Sequence, residues 1–195
     1  DHPDFPIAIL NDADAKKFVD GSAFHLYLGE IEALSEVHNA HPDRNIYFTE
    51  QWTWSKGKFD GDLRWHLKNL IVGATRNWSR NVLEWNLASD ANYDPHTTDG
   101  GCTECLGALT VGDSVTRNVS YYIIAHASKF VRPGSVRVAS NLVEGLPNVA
   151  FVTPTGRKVL IVLNDSDHRK EFSIKFKRRI ATASLPGGSV GTFVW

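Results

Sequence analysis

The sequence predicts a parallel α/β domain followed by an all-β domain, and three observations carry that reading. Three short apolar runs, SAFHLYLG (22–29), NIYFTEQW (45–52) and NVLEWNLAS (81–89), alternate with helical patterns, which is the arrangement of βαβ units. Beyond Pro133-Gly134 the apolar period drops to two, as in antiparallel strands. The composition, 42% hydrophobic and 22% charged over 195 residues, is that of a folded globular chain and excludes disordered, collagenous and coiled-coil classes.

In chain order, IAILN is too short for periodicity to separate strand from helical turn. Asp12 is positioned to cap a short helix over 14–20. In EIEALSEVHNAH (30–41), Ile31, Leu34 and Val37 share one helical face, and Pro42 ends the helix. The next helix, within 61–79, has apolar residues at 63, 67, 70, 71 and 74; Trp65 and Trp78 are expected in its core. A polar loop from Asp90 to about Gly107 precedes a helix over 119–131. The tail is read as six strands, VRVASNL, VAFVTP, KVLIVLND, EFSIKF, ATASLP and VGTFVW, with hairpin turns expected at Asn164-Asp165 and Gly187-Gly188. The domains are set at 1–132 and 133–195.

No apolar run reaches the length of a membrane helix, so no transmembrane segment is expected. The net charge is −1, but residues 1–62 carry 12 acids against 5 bases and residues 157–179 carry 8 bases against 3 acids. The basic stretch alternates with apolar residues, as on the wet face of a strand, so no nucleic-acid partner is expected. Cys102 and Cys105 in GGCTEC could be a redox pair, half a zinc site or a small disulfide loop. The absence of a second close ligand pair argues against a metal, and no cofactor is expected. The CxxC does not open a helix after a strand, which weighs against a thiol oxidoreductase. Asn77, Asn118 and Asn164 each begin an N-x-S triplet, the glycosylation pattern.

In parallel β/α structures, functional side chains collect at the C-terminal ends of strands. Those ends hold His25 and Tyr27, then Thr49, Glu50, Gln51 and Trp52, then Glu84, Trp85 and Asn86. A carboxylate, an imidazole, a phenol, an amide and indoles on one rim suit a sugar: the rings stack on its apolar face and the polar groups bind hydroxyls.

IYFTEQW, AFHLYLG, LEWNLAS, HASKFVRPGSVRV and the closing KVLIVLND…GGSVGTFVW resemble the C-terminal half of glycoside hydrolase family 30, whose members include glucosylceramidases, β-glucosidases and endo-β-1,6-glucanases. The resemblance implies barrel strands six to eight of a (β/α)8 TIM barrel followed by a β-sandwich. It implies a retaining β-glycosidase with Glu50, after Thr49, as nucleophile, and His25, Tyr27, Trp52, Trp85 and Asn86 as substrate-binding residues. Gln51 and Trp52 differ from the glucosylceramidase pattern, where a small residue or cysteine follows the nucleophile. They look more like bacterial relatives, some of which cleave β-1,6-glucan.

The family's acid/base glutamate follows an asparagine on barrel strand four, and no Asn-Glu pair occurs here. A retaining glycosidase needs two carboxyl groups about 5–5.5 Å apart. The expectation is therefore that this chain, which contains no methionine, is a processed or cut piece that lacks five barrel strands and is inactive alone. A three-strand arc would expose apolar faces and unpaired edges, so self-association or pairing with the missing N-terminal half is expected. Glu84 is expected to point away from the side Trp85 faces, by strand alternation. The competing function class is a carbohydrate-binding or scaffold fragment that keeps the aromatics without the chemistry. The resemblance places the enzyme in a secreted or periplasmic setting.

Overall fold

The computed structural model describes residues 2–195. They fall into two compact units, one running to Ile124 and the other from Ala125 to Trp195.

The first unit opens with helix α1 (Asp4–Asn11) and the single turn α2 (Ala13–Lys16). IAILN is thus helical, and it is tied down by Leu10, which is buried in the core. Asp12 caps α2, its Oδ1 accepting the backbone N–H groups of Asp14 and Ala15 at 2.8 and 3.2 Å. There follow β1 (Gly21–His25), α3 (Ala33–Ala40), β2 (Asn45–Glu50), β3 (Thr53–Trp54) and α4 (Phe59–His66), which continues as a π-helical stretch over Leu67–Ala74, and then β4 (Ser79–Val82). Strands β1, β2 and β4 form a parallel sheet with β2 in the middle.

One face of this sheet is closed. Phe24, Ile46 and Phe48 pack with Leu10, Leu34, Val37, Leu70 and Ala74 from the helical layer. On β1 and β2 the alternate residues Ala23, Tyr47 and Thr49 remain exposed or partly so. Parallel sheets are normally covered on both faces, so this one is open where a barrel interior would lie. The outer edge of β1 pairs with no other described strand. Beside it runs a groove lined by Phe5, Pro6, Ile9, Val19 and Ala23, with Phe5 largely exposed.

The third strand is shorter than expected. Leu83 still donates its N–H to Phe48 O, but the chain then leaves the ladder, and only an isolated Trp52–Trp85 bridge follows. The rest of the run enters β5 (Ala88–Ser89), which pairs parallel with β7 (Leu109–Val111); β7 forms a hairpin with β8 (Val115–Arg117). Between them, β6 (Cys105–Leu106) pairs antiparallel with β3 and anchors the polar loop. Helix α5 (Val119–Ser128) buries Val119, Ser120 and Ile123. Trp65 and Trp78 are not core residues: both are exposed, Trp65 edge-on to His66 and Trp78 stacked on His38 at 3.9 Å. At Trp78 the backbone has φ 74°, beyond the helix, so the helical phase no longer sets its direction.

The second unit contains β9 (Val136–Val138), β10 (Asn148–Val152), β11 (Lys158–Leu163), β12 (Lys170–Phe176), β13 (Arg179–Leu185) and β14 (Val190–Val194). Four of them make an antiparallel sheet in the order β14-β11-β10-β9, and β12-β13 is a separate hairpin. Leu146, Val162 and Leu185 form the core between the two, with Phe172 and Phe193 edge-on at 5.7 Å. In β12 the exposed positions are Glu171, Ser173 and Lys175, so only one base of the stretch sits on the alternating wet face of this strand, while Lys177, Arg178 and Arg179 are consecutive and exposed at the turn into β13.

Asn164-Asp165 and Gly187-Gly188 are not hairpin turns. β11 pairs with β10 and β14, so both dipeptides lie on connections that switch between the sheets. The crossing is organised by Asn164, which is fully buried. Its Nδ2 donates toward His168 O, Leu185 O and Pro186 O at 2.7, 2.9 and 3.0 Å, and its Oδ1 accepts from Ser166 N and Oγ at 3.2 and 2.7 Å. Truncation would strand several of these groups away from water. Asn164→Ala is expected to destabilise the chain by about 3 kcal/mol or more; an unchanged midpoint in urea unfolding would contradict this. The other two N-x-S asparagines are also engaged. Asn77 Nδ2 donates to Gly73 O, and Asn118 Nδ2 donates to Gly107 O.

Candidate active site

The site is built on the carboxyl ends of β1 and β2. A register irregularity after Phe24 sets His25 opposite Glu50. The chain leaves β1 at His25, so Tyr27 lies on the bend that follows rather than on the strand. There its hydroxyl donates to Glu50 Oε1 at 3.0 Å, while His25 Nδ1 is 3.7 Å from the same oxygen. The His25 and Tyr27 rings meet edge to face at 5.6 Å. Glu50 keeps a third of its side-chain surface open, with 35% relative exposure, so the carboxylate is held but reachable. Burial, and next the bond to the Glu50 carboxylate, push the Tyr27 phenol well above its ordinary value. Tyr27 therefore remains a donor to Glu50 through the neutral and mildly alkaline range.

Gln51 ties this rim together. It is buried; its Nε2 donates to Leu26 O at 3.1 Å, its Oε1 accepts from Trp52 N at 3.1 Å, and its carbonyl accepts from Trp85 N at 2.7 Å. One amide side chain thereby joins the Tyr27 bend to the segment after Glu50. Trp52 and Trp85 lie side by side across the isolated bridge, with Trp85 half exposed. Asn86 follows through a cis peptide. Its Oδ1 is buried with no hydrogen-bond partner and lies 2.7 Å from where a Cβ on Gly107 would stand. The geometry thus gathers His25, Tyr27 and Glu50, sets Trp52 beside Trp85, and turns the Asn86 oxygen toward the Gly107 backbone.

Glu84 is buried while the adjacent Trp85 is half exposed, in the sense that alternation predicts. The Glu84 side chain is 3% exposed, and both its oxygens lie on His66 Nδ1, at 2.8 and 3.1 Å; His66 is 5% exposed. Burial raises the Glu84 carboxyl, and the His66 bond opposes that rise. No motif in the sequence singles out His66. Its trace was its position four residues after Asp62 on an amphipathic helix whose apolar residues continue beyond it.

Cys102 and Cys105 are joined in a disulfide. The short loop it closes contains Glu104, whose Oε2 accepts the Trp54 indole N–H at 3.0 Å and which pairs with Lys56. Among the described residues, no group of three or more metal-ligating side chains converges, and no helix is long and apolar enough to cross a membrane.

Comparison with known proteins matches residues 1–131 to the glycosyl hydrolase family 30 TIM-barrel domain and residues 134–193 to the glycosyl hydrolase family 30 beta sandwich domain. An endo-1,6-β-D-glucanase of Aspergillus fumigatus is 29% identical over 205 residues, covering 100% of this chain and 40% of that protein. The lysosomal acid glucosylceramidase of Mus musculus is 27% identical over 212 residues, covering 99% of this chain and 40% of its own length. The solved structure of the endo-β1,6-glucanase BT3312 superposes with a TM-score of 0.88 at 31% identity, over 98% of this chain and 44% of that one. The chain spans about two fifths of the length of these curated relatives.

Proposed function

We propose that this chain, which belongs to glycoside hydrolase family 30, is the nucleophile-bearing part of a retaining β-glycoside hydrolase acting on a β-linked glucoside or glucan. The observation that carries the reading is the Glu50 carboxylate, reachable at the rim, with the Tyr27 hydroxyl on Oε1 at 3.0 Å and His25 beside it. In the first half-reaction Glu50 attacks the anomeric carbon as the glycosidic bond to the leaving oxygen breaks, and a protonated carboxylic acid gives that oxygen its proton. In the second, the same partner takes a proton from water, which attacks the anomeric carbon and releases Glu50. Tyr27 orients the carboxylate through its donated bond. Trp52 and Trp85 offer ring faces to the sugar.

The partner carboxyl is assigned to chain preceding this one, on barrel strands that would also cover the open face of the β1-β2-β4 sheet. In support, Glu84 is locked on His66 out of solvent, and Glu104 is engaged by Lys56 and Trp54. On this account the three parallel strands are barrel strands six to eight, and the barrel portion ends at residue 132, before the sandwich. The disulfide fits an oxidising, extracytoplasmic setting.

Among glucosides, β-1,6-glucan is the favoured substrate class, since Gln51 and Trp52 fill positions that are small or cysteine in the glucosylceramidase pattern. The test is hydrolysis of β-1,6-glucan oligosaccharides by the full-length protein, followed by proton NMR of the first-formed anomer. The expected product is the β-anomer. An α-anomer would overturn the retaining mechanism, and sugar binding without any cleavage would favour a non-catalytic carbohydrate-binding role.

A further inference from the structure

Strand β3 continues directly from the Glu50 segment and carries a feature that the chemistry at Glu50 does not use. Thr53 is 1% exposed; its hydroxyl meets Ser120 Oγ at 2.7 Å and Leu106 O at 3.1 Å. Its neighbours Trp52 and Trp54 therefore stand on the opposite, open side of the extended chain, about 6.6 Å apart along the strand. Trp54 is 43% exposed, although an indole this size normally gains from being covered.

It is also held in place. The indole N–H is fixed on Glu104 Oε2 at 3.0 Å, Lys56 Nζ lies 5.5 Å from the ring centroid and pairs with Glu104, and Ser55 N donates to Glu104 O at 3.0 Å. Glu104 in turn sits inside the four-residue loop closed by Cys102–Cys105, next to Cys105, which stands opposite Trp54 in the β3–β6 ladder. An exposed aromatic ring whose orientation is set by a hydrogen bond, an ion pair and a covalent loop is preorganised, and a free surface side chain needs none of these. An open ring face edged by a carboxylate and an ammonium is suited to a pyranose: the ring takes its C–H face, and the charged groups take its hydroxyls.

We propose that Trp54, framed by Lys56 and Glu104, is an outer sugar subsite that binds a glucose residue of the same chain beyond the one held at Glu50. This rests on the β-glycosidase reading above, and it makes the enzyme one that gains from longer substrates. Trp54 is a binding residue here, with no part in bond cleavage.

The experiment compares KM and kcat of the full-length protein and its Trp54→Ala and Trp54→Phe variants on β-1,6-linked gluco-oligosaccharides of two to five units. Trp54→Ala is expected to raise KM for the pentasaccharide about tenfold more than KM for the disaccharide, with the difference in KM rather than kcat. Trp54→Phe, which keeps a flat ring, should recover most of the length dependence. Should the alanine variant not fold, Trp54→Leu supplies bulk without a stacking face and is expected to show the same length-dependent loss. A change equal at all lengths, or none, overturns the subsite while leaving the glycosidase reading intact. A wild-type protein that cleaves no β-glucoside of any length overturns both.

Discussion

Glu50→Gln in the full-length protein is expected to lower kcat by roughly 10⁴-fold or more, the scale on which loss of a covalent nucleophile falls in other enzymes, while oligosaccharide affinity stays within a few-fold of wild type. The amide is isosteric with the carboxylate, and its Oε1 can still accept the Tyr27 hydroxyl now seen at 3.0 Å, so the geometry of the rim persists. What disappears is the negative oxygen that would bond the anomeric carbon. The measurement is steady-state kinetics beside calorimetric titration with a non-cleaved oligosaccharide. Near-normal turnover would refute the assignment of Glu50; lost turnover together with lost binding would show that the substitution had damaged the pocket instead.

His66→Ala is the substitution expected to harm the fold most at the site. It leaves the Glu84 carboxyl buried without its hydrogen-bond partner, and stranding a buried polar group typically costs about 1–3 kcal/mol, more where it is charged. Because burial raises the Glu84 carboxyl, its favourable contribution is fully present below the ordinary carboxyl range and is lost as pH rises through the raised value. Without His66 that rise is larger, so the deficit of His66→Ala relative to wild type should widen on going from about pH 4 to about pH 8. The double variant His66→Leu/Glu84→Met removes both polar groups and fills similar volume, and it is expected to regain most of the loss. Urea unfolding across this pH range checks all three statements. A deficit that is small and independent of pH, or a double variant worse than the single one, would contradict them. A further consequence is local: Glu84 immediately precedes Trp85, so the pair also fixes the segment that brings Trp85 beside Trp52.

Much of this was legible in the sequence because it follows from periodicity and punctuation. Leu34 and Val37 share one face of α3 and, with Ile31 just before it, are buried; Asp12 caps where a cap was expected. The strand ends also announced the rim, since His25, Glu50 and Trp52 are polar or aromatic residues closing apolar runs. What stayed hidden depends on contacts distant in sequence. β4 ends at Val82; beyond it Trp85 is held by the Gln51 carbonyl and Glu84 by His66, and neither partner is local. Asn164-Asp165 breaks the strands but does not make the hairpin its residues suggest. Whether such a break makes a hairpin or a crossover is decided by Leu185 and Pro186, twenty-odd residues on, whose carbonyls take the Asn164 amide. Trp54 and Glu104 were likewise out of reach, because their partnership is made by a two-residue ladder across the disulfide loop.

The most direct test of the central claim is covalent trapping. The full-length protein is incubated with an activated 2-deoxy-2-fluoro-β-glucoside, which forms the glycosyl-enzyme ester and hydrolyses slowly; the protein is then digested and the labelled peptide sequenced by mass spectrometry. The account predicts one added fluoroglucosyl group, on Glu50 within the peptide containing NIYFTEQW. A label on Glu84, on Glu104 or on any other carboxylate would contradict it.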